Sequence, residues 1–245
     1  MIIGLLTGRG GSDSQELPYK NTISVMGRPL MMYPYYSALE SKLIDDIYLS
    51  TDGPELKEIA HKEGIKIIDR PDEFAKPDSQ HFECMDHAIQ YLSSNNIKVD
   101  IIVILMCNVA IQPIGMIDKC IQALLDDEKL DSAVTVREWG DHHPSRAKTF
   151  DHNGLLKPIL LDGKENVSTT RQLLDPCYYL DHQVWAIRIR DGALPLKGQG
   201  PWYWMGSKIK PIENKELVFD IHTIEDVHFS EMWLKTKFRD FTNEK

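Results

Sequence analysis

Residues 1–11, MIIGLLTGRGG, combine a short aliphatic run with a glycine-rich turn. The aliphatic run predicts a buried strand over residues 1–7, and the turn follows that strand directly. In an open α/β sheet, a turn of this kind lies at the carboxyl end of a parallel strand, where its backbone N–H groups can face a phosphate. The turn has neither GxGxxG nor GxxxxGK[ST] spacing, which disfavours a dinucleotide site and a Walker A loop. On its own, it is equally consistent with a surface turn that binds nothing.

The pattern that begins with this strand continues along the first two thirds of the chain. Short aliphatic or β-branched runs alternate with amphipathic stretches of about ten residues or more, which is typical of βαβ units. Strands are predicted over residues 47–51, 65–68, 99–106 and 132–136, and helices over residues 29–42, 54–63, 82–92 and 114–125. The run 99–106 is the most apolar and predicts the centre of the sheet.

This alternation is interrupted after residue 140. Residues 141–213 contain short alternating runs with scattered glycines and prolines, and they predict a small α+β lobe inserted into the core. Residues 214–245 return to the core through a predicted strand at 217–221 and a closing helix at 224–238. The predicted fold class is therefore α/β, with three layers, a mostly parallel central sheet, helices on both faces, and core segments 1–140 and 214–245.

Composition restricts the possible functions. The chain has 245 residues, of which 42% are apolar, so it can bury a substantial core. Its formal net charge of −9 and the absence of any basic run argue against nucleic acid as a partner. An acidic protein can still bind a nucleotide if it gathers a few positive groups locally or uses a cation.

The sequence also predicts where the protein resides. No apolar run approaches the roughly 18 residues of a membrane span, and the apolar start is too short for a signal peptide, so we expect a cytoplasmic protein without a membrane partner. Cys84, Cys107, Cys120 and Cys177 form no CxxC pair, which favours reduced structural cysteines. The histidines show no close metal-ligand spacing, which disfavours a zinc enzyme.

Five motifs follow one another along the chain. They are GRGGS at 8–12 with PYKN at 18–21, GRPLMMY at 27–33, YLSTD at 48–52, IIDRP at 67–71 and VFDIHTIED at 218–226. In this order they resemble the acylneuraminate cytidylyltransferase family, the CMP-sialic acid synthetases. Weaker matches at 142–144 (HHP) and 171–172 (RQ) extend the resemblance over nearly the whole chain. The resemblance implies the Rossmann-like nucleotidyltransferase form of the α/β fold, with an inserted lobe that binds the sugar and forms a homodimer.

The implied reaction is transfer of CMP from CTP to the anomeric hydroxyl of a sialic-acid-like 2-keto sugar acid, with release of pyrophosphate. Arg9 and Lys20 are the implied catalytic cations, because they can offset charge that builds as pyrophosphate leaves. The residues implied to bind the nucleotide are Gly8, Arg9, Gly10, Gly11, Ser12, Lys20, Asn21, Asp52, Arg70 and Asn108.

Each polar member of this set also has an ordinary structural interpretation. Arg9 and Lys20 can be solvated surface charges, and Asp52 can serve the start of the helix that follows it. Turn formation is the alternative for Ser12, Asn21 and Asn108, and a surface salt bridge with Asp72 or Glu73 is the alternative for Arg70.

Asp220 is the third implied catalytic residue. A carboxylate at the end of a sheet strand is well placed to hold Mg²⁺ against the phosphates. The family pattern has a second aspartate where this chain has His222, and imidazole is a poor magnesium ligand. The resemblance therefore places Asp220 and His222 at the metal site, and it leaves open whether His222 is a ligand or has another role.

The lobe is implied to bind the sugar. Arg171, beside Gln172, can clamp a planar carboxylate with two parallel hydrogen bonds, and His143 and Tyr179 are expected to line the same pocket. His143 and Tyr179 can equally be half-buried residues with one satisfied hydrogen bond. The chain has Asp181-His182 where the family has an asparagine–glycine pair, and its segment 105–112 departs from the family pattern, so the preferences for sugar and base are expected to differ.

Two alternatives keep the same fold. One is a CMP-Kdo synthetase or a sugar-phosphate nucleotidyltransferase, and the other is a nucleotide-binding regulator that has lost catalysis, for which His222 is an argument. The aromatic content of the lobe, which includes Trp185, Trp202 and Trp204, predicts a surface for self-association, although these side chains can also form an ordinary core.

Overall fold

The computed structural model describes residues 1–11, 17–139, 142–160 and 168–242 and has an α/β fold. Its strands are β1 (Ile2–Thr7), β2 (Ser24–Val25), β3 (Arg28–Pro29), β4 (Asp46–Thr51), β5 (Lys66–Asp69), β6 (Ile101–Met106), β7 (Ser132–Glu138), β8 (Lys148–Phe150), β9 (Leu156–Pro158), β10 (Tyr178–Arg188) and β11 (Ile209–Glu213). Its α-helices are α1 (Met32–Glu40), α2 (Pro54–Glu63), α3 (His81–Ser94), α4 (Met116–Asp126) and α5 (Ile224–Thr242).

Seven strands form the central sheet in the order β11-β7-β10-β6-β1-β4-β5. The neighbouring strands pair in parallel, except that β10 is antiparallel to both β6 and β7. β6 occupies the middle position, which confirms the prediction made from its apolar run. The mostly parallel α/β architecture predicted from the alternation of strands and helices is likewise confirmed.

Helices cover both faces of this sheet because successive side chains of a strand point to opposite faces. On β6, Ile102 and Ile104 pack in a cluster with the buried side of α3, whereas Val103 and Leu105 pack in a second cluster with α1, α2 and α4. Fully burying one such aliphatic side chain stabilises the fold by about 1.5–3 kcal/mol. A charged substitution at any of these β6 positions would therefore disrupt one of the two cores.

The predicted return strand at residues 217–221 is wrong. Val218 and Ile221 are buried as an apolar segment should be, but the segment forms no strand. β6, which it approaches through Asn108, is already paired with β1 on one side and β10 on the other, so no strand edge is available there. The strand that adds to the outer edge of β7 is β11 instead.

The predicted boundary of the inserted lobe also needs correction. β10 and β11 both lie within residues 141–213, yet both belong to the central sheet. The short β8–β9 hairpin, by contrast, forms a separate two-stranded sheet. The chain therefore returns to the core earlier than the sequence pattern indicates, because β10 inserts between β6 and β7.

Two further findings concern membrane-spanning helices and the cysteines. Within the described ranges, no helix is both long enough and apolar enough to cross a membrane. All four cysteines are unpaired, and Cys177 is the one that is not buried. Burial raises the pKa of Cys107 to about 12, so this thiol stays protonated near neutral pH.

Candidate active site

A cavity of about 300 Å³ lies at the carboxyl ends of β1, β4, β5 and β6. This is the edge at which ligands bind in open α/β sheets. Its walls come from the glycine turn after β1, the residues that follow β4, β5 and β6, and the loop that leads into α3. The residues that line it are Thr7, Gly8, Arg9, Gly10, Gly11, Lys20, Asn21, Asp52, Arg70, Phe74, Ala75, Pro77, Ser79, Gln80, His81, Cys84, Met106 and Asn108.

Nine of the ten residues expected to bind the nucleotide line this one cavity. They are Gly8, Arg9, Gly10, Gly11, Lys20, Asn21, Asp52, Arg70 and Asn108. The tenth, Ser12, lies outside the described residues. The structure thus brings together side chains that are up to 100 positions apart in the sequence, because parallel strands present their carboxyl ends at one edge.

The backbone N–H groups of the glycine turn are held by protein acceptors. Gly8 donates to the carbonyl oxygen of Ser50 at 3.3 Å, Gly10 to Asp52 Oδ1 at 2.9 Å, and Gly11 to Glu55 Oε1 at 2.7 Å. The expectation that these three amides face a phosphate does not hold in this arrangement. Asp52 acts here as an anchor of the turn, together with Glu55, a residue that the sequence reasoning missed.

Close backbone contacts explain why this turn is rich in glycine. A Cβ atom on Gly11 would lie 2.3 Å from Tyr19 Cα, and one on Gly10 would lie 3.0 Å from Gly53 Cα. The first distance is far too short for any real contact, and the neighbour is backbone, which cannot rotate away. Close packing against neighbouring backbone therefore favours glycine at both positions.

Gly11→Ala should lower stability by about 1–3 kcal/mol and weaken nucleotide binding, because the new methyl group forces the turn away from Tyr19. Gly4→Ala is the matched control, since the nearest atoms to its Cβ would be side-chain atoms, Ile44 Cδ1 at 3.2 Å and Ile47 Cγ1 at 3.6 Å, rather than backbone. Thermal unfolding and CTP titration measure both effects. Equal behaviour of the two variants would contradict this assignment.

Arg70 is a buried cation beneath the cavity. Its Nε donates to Ser50 Oγ at 3.2 Å and its Nη2 to the Ser50 carbonyl oxygen at 2.7 Å. The alternative for this residue, a salt bridge with Asp72 or Glu73, does not occur in the part of the chain described here. Arg9 is oriented differently, because its Nη1 donates to the carbonyl oxygen of Lys76 across the cavity at 2.6 Å.

His81 is a second residue of the cavity that sequence reasoning missed. Its Nε2 lies 3.0 Å from Thr7 Oγ1, and its ring packs near those of Trp185 and Trp204. Burial, together with smaller contributions from Arg70, His182 and Arg9, lowers the pKa of His81 to about 3. The imidazole is thus neutral at physiological pH and provides one donor and one acceptor at the cavity wall.

A chain of two contacts connects Asp220 with the cavity. Its Oδ2 is 2.5 Å from His222 Nε2, and His222 Nδ1 is 3.3 Å from the Nζ of Lys20, which lines the cavity. The backbone N–H of Ile221 also donates to the carbonyl oxygen of Asn108 at 2.8 Å. The glycine turn and the segment that carries Asp220 therefore converge on the same edge of the sheet.

The charge of Asp220 is well defined. Burial on its own would raise the pKa of this carboxyl group, but His182, His222 and a backbone hydrogen bond together outweigh burial and lower the pKa below its ordinary value. Asp220 is therefore an anion at neutral pH, as a ligand of a hard cation must be. Among the described residues, no group of three histidine, cysteine or carboxylate side chains is arranged to hold a metal. A cation here would need ligands from the substrate and water beside Asp220.

The residues expected to bind the sugar do not line the cavity. His143 Nδ1 accepts a hydrogen bond from the Ser145 N–H at 3.2 Å, and the Tyr179 hydroxyl donates to the carbonyl oxygen of His142 at 2.6 Å. Gln172 is exposed in the short 3-10 helix Arg171–Leu173, and the side chain of Arg171 lies outside what the structure describes. Their role in sugar binding stays a prediction.

The family model and the similar proteins of known function are all cytidylyltransferases. The model of the cytidylyltransferase family matches residues 6–173. Pseudaminic acid cytidylyltransferase of Campylobacter jejuni is 36% identical over 93 residues, which are 38% of this chain and 39% of that protein. N-acylneuraminate cytidylyltransferase of Escherichia coli is 31% identical over 88 residues, which are 36% of this chain and 20% of that protein. These alignments span well under two thirds of the relatives' own length.

The solved structures agree on the fold. CMP:2-keto-3-deoxy-manno-octonic acid synthetase, solved in complex with CTP, matches with a TM-score of 0.67 over 96% of this chain and 99% of that chain. At 16% identity, this likeness is one of fold alone. The family model, in contrast, matches more than half of the sequence and begins at the end of β1, where the cavity begins. The chain belongs to the cytidylyltransferase family.

Proposed function

We propose that this protein transfers CMP from CTP to the anomeric hydroxyl of a sialic-acid-like 2-keto sugar acid and releases pyrophosphate. One observation carries the proposal: a single cavity gathers the glycine turn, three cationic side chains and, through His222, the carboxylate of Asp220. The family supports CTP as the nucleotide, and its relatives act on acylneuraminic and pseudaminic acids, as their names state.

The proposed reaction is an in-line displacement. The anomeric hydroxyl oxygen forms a bond with the α-phosphorus of CTP, the bond from that phosphorus to the oxygen bridging it to the β-phosphorus breaks, and the hydroxyl proton passes to solvent. Arg9, Lys20 and Arg70 supply positive charge around the polyphosphate, which reduces repulsion between two anionic substrates. The turn amides of Gly10 and Gly11 are bonded to Asp52 and Glu55. The three cationic side chains therefore contribute more to phosphate binding than they would beside a loop whose backbone amides bind phosphate.

Mg²⁺ fits this site with one protein carboxylate. Asp220 would hold it, and the bound ion would neutralise charge on the departing pyrophosphate. Asp220 is ionised and partly buried beside the cavity, which suits a hard cation that keeps several water ligands. His222 is a weaker candidate, because both of its ring nitrogens contact protein groups.

Release of pyrophosphate tests the proposed function. The full chain should release pyrophosphate with CTP and a nine-carbon keto sugar acid, and it should do so far more slowly with ATP, GTP or UTP. Activity with an eight-carbon acid alone would indicate a CMP-Kdo synthetase, and activity with sugar 1-phosphates would indicate a sugar-phosphate nucleotidyltransferase. CTP binding without pyrophosphate release across the whole panel would support a catalytically inactive regulator and contradict the proposal.

The proposed assembly is a homodimer formed through the β8–β9 hairpin. Large apolar side chains are exposed along this hairpin and just after it, at Phe150, Leu155, Leu156, Ile159 and Leu160. An exposed apolar patch of this kind indicates an interaction surface. A second copy of the chain is the proposed partner.

A pair of charged substitutions tests the dimer. Phe150→Glu combined with Leu156→Glu should convert the protein to a monomer, because two carboxylates would be buried in the interface. Light scattering coupled to size-exclusion chromatography measures the mass, and Leu39→Glu, on the exposed side of α1, is the control. A wild-type protein that is already monomeric would contradict the proposal.

A further inference from the structure

His222 touches two functional side chains that lie 200 residues apart in the sequence. Its Nδ1 is 3.3 Å from Lys20 Nζ and its Nε2 is 2.5 Å from Asp220 Oδ2. A lysine ammonium group can only donate, so Nδ1 must be the acceptor, and the ring proton must then lie on Nε2 and be donated to Asp220. Both ring nitrogens are thus engaged by protein side chains.

The backbone around His222 is fixed independently of its side chain. The N–H groups of His222 and Thr223 both donate to Asp226 Oδ2, at 2.9 and 2.8 Å, at the start of α5. One residue earlier, Ile221 is buried and bonded to Asn108, which lines the cavity. The backbone that carries the imidazole is thus held by hydrogen bonds, beside the cavity-lining Lys20.

We propose that His222 is a positioning residue that joins Lys20 to Asp220 and holds the lysine ammonium group at the edge of the cavity, instead of serving as a ligand of the cation. This inference rests on the proposed function, because a fixed ammonium group at this edge matters only when a polyphosphate binds there. Lysine has a flexible side chain, so a fixed acceptor beside its ammonium group reduces the conformational entropy that this side chain loses when the nucleotide binds.

Two features argue against His222 as a metal ligand. The lone pair of Nδ1 faces an ammonium group, and a cation bound at the same nitrogen would be repelled by that charge. Imidazole is also a poor ligand for magnesium, which prefers oxygen. His222 instead resembles the supporting groups that orient catalytic side chains in many sites, whose loss typically lowers affinity or activity by about 10–100-fold.

A double-mutant cycle tests the link between His222 and Lys20. CTP affinity is measured by titration calorimetry in EDTA, so that no metal contributes, for the wild type, Lys20→Met, His222→Phe and the double variant. We expect each single change to weaken CTP binding by about tenfold. The affinity of the double variant should lie within about twofold of that of Lys20→Met, because the two residues act together. His222→Gln, which keeps a donor and an acceptor, should recover part of the affinity lost in His222→Phe.

The outcomes separate the possible explanations. Effects of Lys20→Met and His222→Phe that multiply would overturn the link, as would a His222→Gln variant no better than His222→Phe. In parallel, the Mg²⁺ concentration for half-maximal pyrophosphate release should change by no more than about twofold in His222→Phe, and a rise of about tenfold would identify a metal ligand instead. A wild-type protein that binds no CTP would contradict the proposed function, and with it this inference, whereas CTP binding with independent effects would contradict the role of His222 alone.

Discussion

Asp220→Asn should reduce the rate of CMP-sugar formation by about a thousandfold or more, even in excess Mg²⁺. Asparagine keeps the size of the side chain but removes the negative charge that would hold the cation against the polyphosphate, and a loss of about 4 kcal/mol in transition-state stabilisation corresponds to this factor. Because the pKa of Asp220 is lowered in the folded protein, the wild-type carboxyl group is charged throughout the usual range of assay pH. Asp220→Ala should likewise abolish formation of the CMP-sugar.

The control for this prediction is a neighbouring carboxylate. Glu225→Gln changes an exposed side chain in the first turn of α5 and should leave the rate within about twofold of wild type, as surface substitutions usually do. Circular dichroism and thermal unfolding establish that both variants are folded. Turnover of Asp220→Asn close to that of the wild type in excess Mg²⁺ would remove Asp220 from the mechanism.

Lys20→Met should lower kcat by about a hundredfold to a thousandfold. The methionine side chain has a similar length, but it provides no charge for the oxygen that develops negative charge as pyrophosphate leaves, and removal of one such donor typically costs this much. Because Lys20 also contacts His222, the variant should in addition bind CTP more weakly and show a higher KM for CTP. Steady-state kinetics over a range of CTP concentrations up to saturation separate the change in kcat from the change in KM.

Lys42 offers a matched control for this variant. It is exposed just after the end of α1 and does not line the cavity, so Lys42→Met should leave both constants unchanged within about twofold. If Lys20→Met raised KM for CTP without lowering kcat, Lys20 would serve binding only, and its proposed role in stabilising the departing pyrophosphate would be wrong.

The mostly parallel class of the sheet and its central strand were predictable because the periodicity of apolar residues reports burial directly. The run that ends at Met106 forms the central strand, and α2 begins at Pro54 and ends before Gly64, which adopts a left-handed conformation. The prediction of a strand at residues 217–221 was wrong because apolar periodicity reports burial but does not report which strand edges are available for pairing. Val218 and Ile221 are buried against α5 and the loop after β6 rather than in the sheet, because β6 is already paired with β1 and β10.

The candidate site was likewise predicted only in part from the sequence. Asp52 and Arg70, which the family resemblance identified, each follow the end of a strand, and strand ends can be predicted from sequence. Glu55 was missed, although its place in the first turn of α2, just after Asp52, was a usable signal. His81 gave no signal, because its contacts with Thr7 and Trp185 depend on how α3 and β10 pack on the sheet.

In the proposed mechanism, Arg9 and Lys20 on one side and Asp220 on the other act on one polyphosphate. Crystals of the protein soaked with CTP and Mn²⁺, in place of Mg²⁺, test this claim through the anomeric signal of the metal. We expect a peak about 2.1 Å from a carboxylate oxygen of Asp220 and from a phosphate oxygen of CTP, with the triphosphate beside Arg9 and Lys20. A nucleotide bound in another crevice, or a metal peak remote from Asp220, would contradict the account.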